Sequence, residues 1–142
     1  MSENVISVEK LNERLIANPF NSWMGLEILK LDEDTLEIGL KWREEMISNP
    51  AARVTHGGIL GALIDVAADF MIAAKVGMPV PTVDLRVDYH SAAKPGNLKA
   101  IAQIVRIGGT NSVAEARIYD SEGTLIASGR GTYFTAAAKK SK

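Results

Sequence analysis

The feature that most constrains this chain is a long apolar stretch with an aspartate near its middle. The stretch runs from Gly57 to Val76 and reads GGILGALIDVAADFMIAAKV. A helix that is apolar on every side is either a buried core helix or a membrane span. A carboxylate is seldom buried without a partner, so Asp65 needs a structural or a chemical reason for its position.

The composition narrows the class of protein. Asp65, Asp69 and Lys75 interrupt the apolar stretch, which argues against a membrane span. The net charge of −1 argues against a nucleic-acid-binding protein. The absence of cysteine excludes disulfides, a cysteine zinc site and a thiol nucleophile. Because residues Met1–Asn4 do not begin a secretory signal, we expect a soluble, cytoplasmic protein without a membrane partner.

Local sequence signals predict where the central helix begins and ends. Gly77, Pro79 and Pro81 follow the stretch and end a helix of about 20 residues, roughly 30 Å long. At the other end, the His-Gly-Gly run at 56–58 leaves bare backbone N–H groups at an electropositive helix start. Such a helix start and a buried carboxylate are two parts of a hydrolytic site.

The rest of the sequence predicts one amphipathic helix followed by strands. The helix runs from Ser7 to Ala17 and is ended by Asn18-Pro19. Alternating hydrophobicity predicts strands at Met24–Leu31, Thr35–Trp42, Thr82–His90, Asn97–Ile107, Asn111–Tyr119 and Thr124–Phe134. Short polar turns between them favour antiparallel neighbours. Residues 43–55 are predicted to form a loop.

These elements predict an α+β fold. The long helix is expected at the centre, with an antiparallel five- to six-stranded sheet wrapped around it. We expect a single domain over residues 1–142, with the first helix inside 1–20 and a flexible tail at 136–142.

Two motifs together resemble the hotdog-fold acyl-CoA thioesterases. The first is His-Gly-Gly-x6-Asp at 56–65, and the second is the strand TVDLRVDY at 82–89. The AKPG turn at 93–96 and the SGRGT run at 128–132 are also similar, in particular to the PaaI-like, phenylacetate-degradation branch. The resemblance covers about residues 25–134 and implies a hotdog fold.

The resemblance also implies a reaction and roles for residues. It implies hydrolysis of an acyl-CoA thioester without a metal or another cofactor. Asp65 would be the nucleophile or the general base, and the Gly57 backbone N–H would bind the thioester carbonyl. Thr82 matches a hydroxyl residue that helps to hold the attacking water. The family usually has an asparagine six residues before the histidine, where this chain has Pro50, with Asn49 one residue away.

Helix geometry adds an expectation about assembly. Gly57 and Asp65 are about 12 Å apart along one helix axis. An oxyanion donor and an attacking group must both lie roughly 3 Å from one reacting centre. If both groups act, they therefore come from different copies of the chain, in a homodimer or a homotetramer with its sites between subunits. The strand Thr82–His90 is the expected seam, because pairing would cover an exposed sheet edge.

Each candidate residue also has a structural interpretation. Asp65 could be a structural carboxylate, and Asp69 is expected to pair with a basic group or meet solvent. Gly57 and Gly58 could serve close packing. His56 fits backbone capping better than proton transfer, and Thr82 could simply begin a strand.

Basic residues are the candidates for contacts with the coenzyme A phosphates. Lys94, Arg106 and Arg130 are expected near the mouth of the site, with Arg86 as a further candidate. The structural alternative is that they lie on solvated strand faces. A metal site is not expected, because the chain has two histidines without metal-ligand spacing.

Two other functions remain open from the sequence. A hotdog-type enoyl-CoA hydratase or dehydratase would use a histidine with an acidic partner, and His56 is the candidate. A non-catalytic acyl-CoA-binding module is the second alternative, and Pro50 favours it.

Overall fold

The computed structural model describes residues 6–140, and side chains within 6–138. The predictions for Met1–Asn4 and for positions 141 and 142 lie outside the described residues. The helices are α1 Val8–Ala17, α2 Pro19–Trp23, α3 Gly57–Val76 and α4 Ala136–Lys140, with a 3₁₀ turn at Glu44–Met46. The strands are β1 Leu26–Leu31, β2 Thr35–Leu40, β3 Ile47–Asn49, β4 Val54–Thr55, β5 Thr82–Tyr89, β6 Leu98–Arg106, β7 Asn111–Asp120 and β8 Leu125–Phe134.

One antiparallel sheet of six strands forms the body of the fold, in the order β1-β2-β6-β7-β8-β5. Helix α3 packs against β2, β5, β6, β7 and β8, so the sheet wraps around it. The predicted α+β arrangement with a central helix is confirmed. Strand β5 lies at an edge of the sheet.

Helix α3 has the predicted bounds because strong local signals define both ends. His56 is its N-cap, and Gly77 ends it with a φ of 84°, a left-handed conformation that glycine adopts without strain. Among the described residues, no helix is long and apolar enough to cross a membrane.

The helix is not covered on every side within one chain. The sheet buries the face that includes Leu63, Ile64, Ala67 and Met71. A second face stays partly exposed and has helical spacing. We call it the open face of α3, and its residues are Gly58, Gly61, Ala62, Asp65, Val66, Asp69 and Phe70. An apolar helix with one uncovered face has the properties of an interface helix.

The structure corrects three local predictions. Asn18-Pro19 does end α1, but it also begins α2, because the Asn18 side chain accepts from Phe20 N–H and Pro19 occupies the first turn. Residues 43–55 contain the 3₁₀ turn and the short β3–β4 hairpin rather than only a loop. Residues 136–140 form α4, with Ala138 buried, where a flexible tail was predicted.

Candidate functional site

The start of α3 is capped by its own histidine and keeps one free backbone donor. The Gly58 N–H donates to His56 Nδ1 at 2.8 Å, and the next two N–H groups bond to the His56 carbonyl. Within the described residues the Gly57 N–H has no acceptor. Tyr89 OH donates to the Gly57 carbonyl at 2.8 Å and holds this first peptide in place. The predicted capping role of His56 is confirmed.

A cavity adjoins the free donor. Its volume is about 350 Å³, and Thr55, Gly57, Leu60 and Tyr89 line it together with the loop at 90–93. Its walls combine apolar side chains with backbone groups at a helix start, where a carbonyl oxygen that gains negative charge is stabilised.

Asp65 lies in the middle of the open face of α3, and two hydroxyl groups hold one of its oxygens. Thr82 Oγ1 donates to Asp65 Oδ1 at 3.0 Å. Tyr133 OH donates to the same oxygen at 2.9 Å and also approaches the Asp65 carbonyl at 3.1 Å. Among the described residues nothing bonds to Asp65 Oδ2. The carboxylate is therefore fixed through one oxygen and available through the other.

Sequence reasoning missed Tyr133. It shares a strand face with Gly129 and Gly131, and it is fully buried. A buried phenol needs a hydrogen-bond partner, and Asp65 was the one buried carboxylate that the sequence had singled out. This requirement would have predicted the Tyr133–Asp65 hydrogen bond if the sequence had also shown that this face of β8 packs against α3.

One register shift in the sheet and one glycine allow the two hydroxyl groups to reach Asp65. The β5–β8 pairing shifts register between Thr82 and Asp84, and such a bulge re-aims the side chain beside it. Gly131 leaves room for the phenol of Tyr133, which a Cβ at that position would overlap. Gly129 likewise lets Ile64 of α3 approach β8 closely. The SGRGT run thus has a packing role beside the carboxylate.

Burial shifts the protonation equilibria of two neighbours of Asp65. Burial, and then the Asp65 charge and hydrogen bond, raise the pKa of the Tyr133 phenol, which therefore acts as a donor. Burial and the Asp65 charge raise the pKa of Asp69 to about 7. Asp69 was expected to pair with a basic group or meet solvent. Instead it is half-buried, and in the described part of the chain it has no ion pair.

The predicted cations are not gathered in one place within a chain. Lys94 follows Ala93, whose carbonyl bonds to the Thr55 N–H beside the start of α3. Arg106 ends β6, a strand of nine residues and therefore about 26 Å long, whereas Lys94 precedes that strand. Arg130 pairs with Glu115 at 3.0 Å in the middle of the sheet.

The comparison with known families decides the classification. Residues 53–127, more than half of the chain, match the sequence model of the family described as the thioesterase superfamily. The chain belongs to the thioesterase superfamily. The matched segment contains His56, Gly57, Asp65 and Thr82, but Tyr133 lies beyond it.

Individual thioesterase relatives agree with this classification. The medium/long-chain acyl-CoA thioesterase YigI of Escherichia coli K12 is 26% identical over 130 residues, covering 81% of this chain and 84% of YigI. A solved structure described as a protein from the thioesterase superfamily is 46% identical, with a TM-score of 0.87, covering 89% of this chain and 96% of that one. The chain is thus a thioester hydrolase with the predicted hotdog fold.

A further solved structure, that of PaaI, shares the fold of this chain. The PaaI protein of the Escherichia coli phenylacetic acid degradation operon has a TM-score of 0.75 with 19% identity, covering 90% of this chain and 95% of PaaI.

The loop before α3 differs from the pattern expected of the hotdog thioesterases. Asn49 Oδ1 accepts from the N–H groups of Ala51 and Ala52 at 2.9 and 3.2 Å and closes its own turn. Its amide oxygen is therefore engaged locally in this chain. Among the described residues, no three His, Asp or Glu side chains form a group that could hold a metal ion.

Proposed function

We propose that this thioesterase hydrolyses an acyl-CoA thioester at a site shared by two subunits. One observation carries the proposal. Asp65 is presented on the open face of α3 with a free oxygen, while the N–H of Gly57 stays unbonded at the start of the same helix, among the described residues.

The proposed reaction uses both groups on one thioester carbonyl. The carbonyl oxygen accepts from the Gly57 N–H of the second subunit, where the helix dipole stabilises the oxyanion that forms. Asp65 either attacks the carbonyl carbon or takes a proton from a water that attacks it. The tetrahedral intermediate collapses, the C–S bond breaks, and the sulfur leaves as the thiolate and takes up a proton. When Asp65 acts as the base, it gives the proton that it took from water to the thiolate, and the free acid is released directly. When Asp65 acts as the nucleophile, the acyl group stays on Asp65 as a mixed anhydride, which a water then hydrolyses. Both routes end in the free acid and coenzyme A.

The open face of α3 supports assembly around this site. Ala62, Val66 and Phe70 leave apolar surface next to Asp65, and β5 beside it is an edge strand. Edge strands with exposed apolar side chains invite pairing with another chain, and Val83 on β5 is 58% exposed. A second copy that pairs through β5 would cover this surface, and it would bring a second α3 towards the first.

The charges on β5 favour a specific register for this pairing. Asp84, Arg86 and Asp88 alternate along its exposed face. A twofold axis at Arg86 would set arginine against arginine and aspartate against aspartate, which is repulsive. An axis at Leu85 sets each Arg86 against the Asp84 of the other subunit.

The Leu85 axis also suits the shared site. Thr82, at one end of β5, bonds to Asp65, and Tyr89, at the other end, bonds to the Gly57 carbonyl. One end of β5 therefore lies beside the attacking group, and the other end lies beside the oxyanion donor. An antiparallel pair centred on Leu85 places Thr82 of one subunit beside the Tyr89 end of the other. Asp65 of one subunit and Gly57 of the other then lie at the same position along the paired β5 strands.

The substrate class rests on chemistry and on a relative. YigI is named as a medium/long-chain acyl-CoA thioesterase, and the cavity beside Gly57 has room for part of a thioester. We propose Lys94, Arg106 and Arg130 as phosphate contacts of coenzyme A. Lys94 lies beside the start of α3, whereas Arg106 at the far end of β6 would reach the same phosphates only from another subunit.

A thioesterase assay tests the proposal. Aromatic, short-chain and medium-chain acyl-CoA substrates are supplied in turn, and the released thiol is measured. The proposal is supported if the wild type hydrolyses at least one of these substrates and Asp65→Asn does not. Binding of acyl-CoA without thiol release would instead favour the binding module, for which the locally engaged Asn49 is the supporting observation.

A further inference from the structure

We propose that Tyr133 is a positioning residue that works with Thr82 to hold Asp65 through Oδ1, so that Oδ2 is the oxygen that reacts. This inference rests on the proposed role of Asp65 in thioester hydrolysis. It adds a residue from the last strand to the site, and it assigns different tasks to the two carboxylate oxygens.

The two oxygens of the Asp65 carboxylate differ in their hydrogen bonds. Thr82 Oγ1 at 3.0 Å and Tyr133 OH at 2.9 Å both donate to Oδ1. A carboxylate oxygen has two lone-pair sites, and so these two donors fill Oδ1. Oδ2 receives no bond from the described residues and keeps its lone pairs for a water or a carbonyl carbon.

The phenol is built into the core rather than placed on the surface. Tyr133 is fully buried, and Gly131 provides the space that its ring occupies. Its hydroxyl also approaches the Asp65 carbonyl at 3.1 Å, so that it contacts the side chain and the backbone of one residue. A donor fixed in this way restricts the rotation of the carboxylate, which keeps Oδ2 directed away from the phenol.

The chemistry of the phenol fits donation only. Burial and the neighbouring Asp65 charge raise the pKa of the phenol above its ordinary value, so that it keeps its proton near neutral pH. Tyr133 therefore donates to Asp65 Oδ1 and does not compete with Asp65 as a base.

Three variants test the inference. Tyr133→Phe keeps the ring and removes the donor, and Thr82→Val removes the second donor to the same oxygen. Each should lower kcat by about 10- to 100-fold, the value of a hydrogen bond to a charged group, with KM changed less than about twofold.

Tyr119→Phe is the third variant and the matched control. Tyr119 lies on β7 with its side chain on the opposite face of the sheet from α3, where it lines a groove with Glu115 and Arg117. Tyr119→Phe should leave kcat and KM unchanged.

The outcomes separate this inference from the proposed function. A wild-type kcat in a folded Tyr133→Phe protein, with Asp65→Asn inactive, would overturn the positioning role alone. A lower melting temperature with unchanged kcat per folded molecule would reduce Tyr133 to a packing residue. Full activity in a folded Asp65→Asn protein would overturn the proposed function itself.

Discussion

The hydroxyl of Tyr133 lies 2.9 Å from Oδ1 of Asp65, although the two residues are 68 positions apart in the chain. This bond joins the last strand of the sheet to the middle of the central helix. It explains how a helix with an apolar core face tolerates a carboxylate, because two hydroxyl groups replace part of the water that Asp65 loses.

Asp65→Asn should abolish most of the activity and leave the fold intact. The substitution keeps the shape of the side chain and removes its charge. We expect kcat to fall on the order of 10²–10⁴-fold, the range for a positioned proton-transfer group, with little change in KM. Steady-state kinetics and a melting curve of the same sample measure both effects.

Asp69→Asn is the control for that experiment, one helical turn away. Its kcat should stay within about threefold of the wild type, because Asp69 makes no hydrogen bond to the carboxylate of Asp65. If Asp65→Asn shifted the melting temperature while activity per folded molecule stayed constant, Asp65 would be a structural carboxylate.

The stability of the protein should depend on pH through Asp69. Its pKa rises from 3.8 to about 7 because of burial and the Asp65 charge, so the folded chain holds this proton more tightly than the unfolded chain. The associated stability is complete below pH 3.8 and is lost as the pH rises through about 7.

Asp69→Asn should remove the loss of folding stability that the wild type shows as the pH rises. At pH 8 we expect the variant to be more stable than the wild type by about 1–2 kcal/mol, less than the full shift implies because the side chain is partly exposed. The difference should shrink towards zero near pH 4, as measured by denaturant unfolding at both pH values. An equal difference at both pH values would show that Asp69 does not titrate in this way.

Lys94 and Arg106 should affect substrate binding rather than chemistry. Replacing either by alanine should raise the KM for acyl-CoA several-fold at low salt and leave kcat unchanged, because phosphate contacts are the same in ground and transition states. Lys99→Ala is the matched control, since Lys99 lies 3.6 Å from Glu37 on the sheet. The proposed placement is wrong if neither Lys94→Ala nor Arg106→Ala changes KM.

The sequence predicted the central helix well because its signals are local. The His-Gly-Gly start and the Gly77 end act within one turn of the helix. Asn18-Pro19 was misleading, because the same pair can end one helix and begin the next. Hydrophobicity alone could not distinguish a helix face covered by the sheet from one left open, since both are apolar.

The candidate site was only partly predictable for a different reason. The resemblance supplied Gly57, Asp65 and Thr82, which lie in two short motifs, at 56–65 and 82–89. Tyr133 depends on how β8 faces α3, and that is set by long-range pairing and by a bulge at the start of β5. The relative positions of Lys94, Arg106 and Arg130 likewise could not be predicted from the sequence, because these residues lie on different elements of the fold.

The last prediction tests the seam on β5 by exchanging its charges. Arg86→Asp would set two carboxylates against each other in both halves of the proposed interface, because the new side chain would face Asp84 of the other subunit. We expect the dimer dissociation constant to rise about tenfold or more, with thioesterase activity falling at concentrations where monomers form. The double change Asp84→Arg with Arg86→Asp restores opposite charges and should recover both. Arg117→Asp, the same substitution on β7 away from the edge, should leave assembly unchanged.

Analytical ultracentrifugation over a micromolar range measures the dissociation constant of the dimer. If the wild-type protein is monomeric over that range, both the proposed seam on β5 and the proposed shared site are wrong.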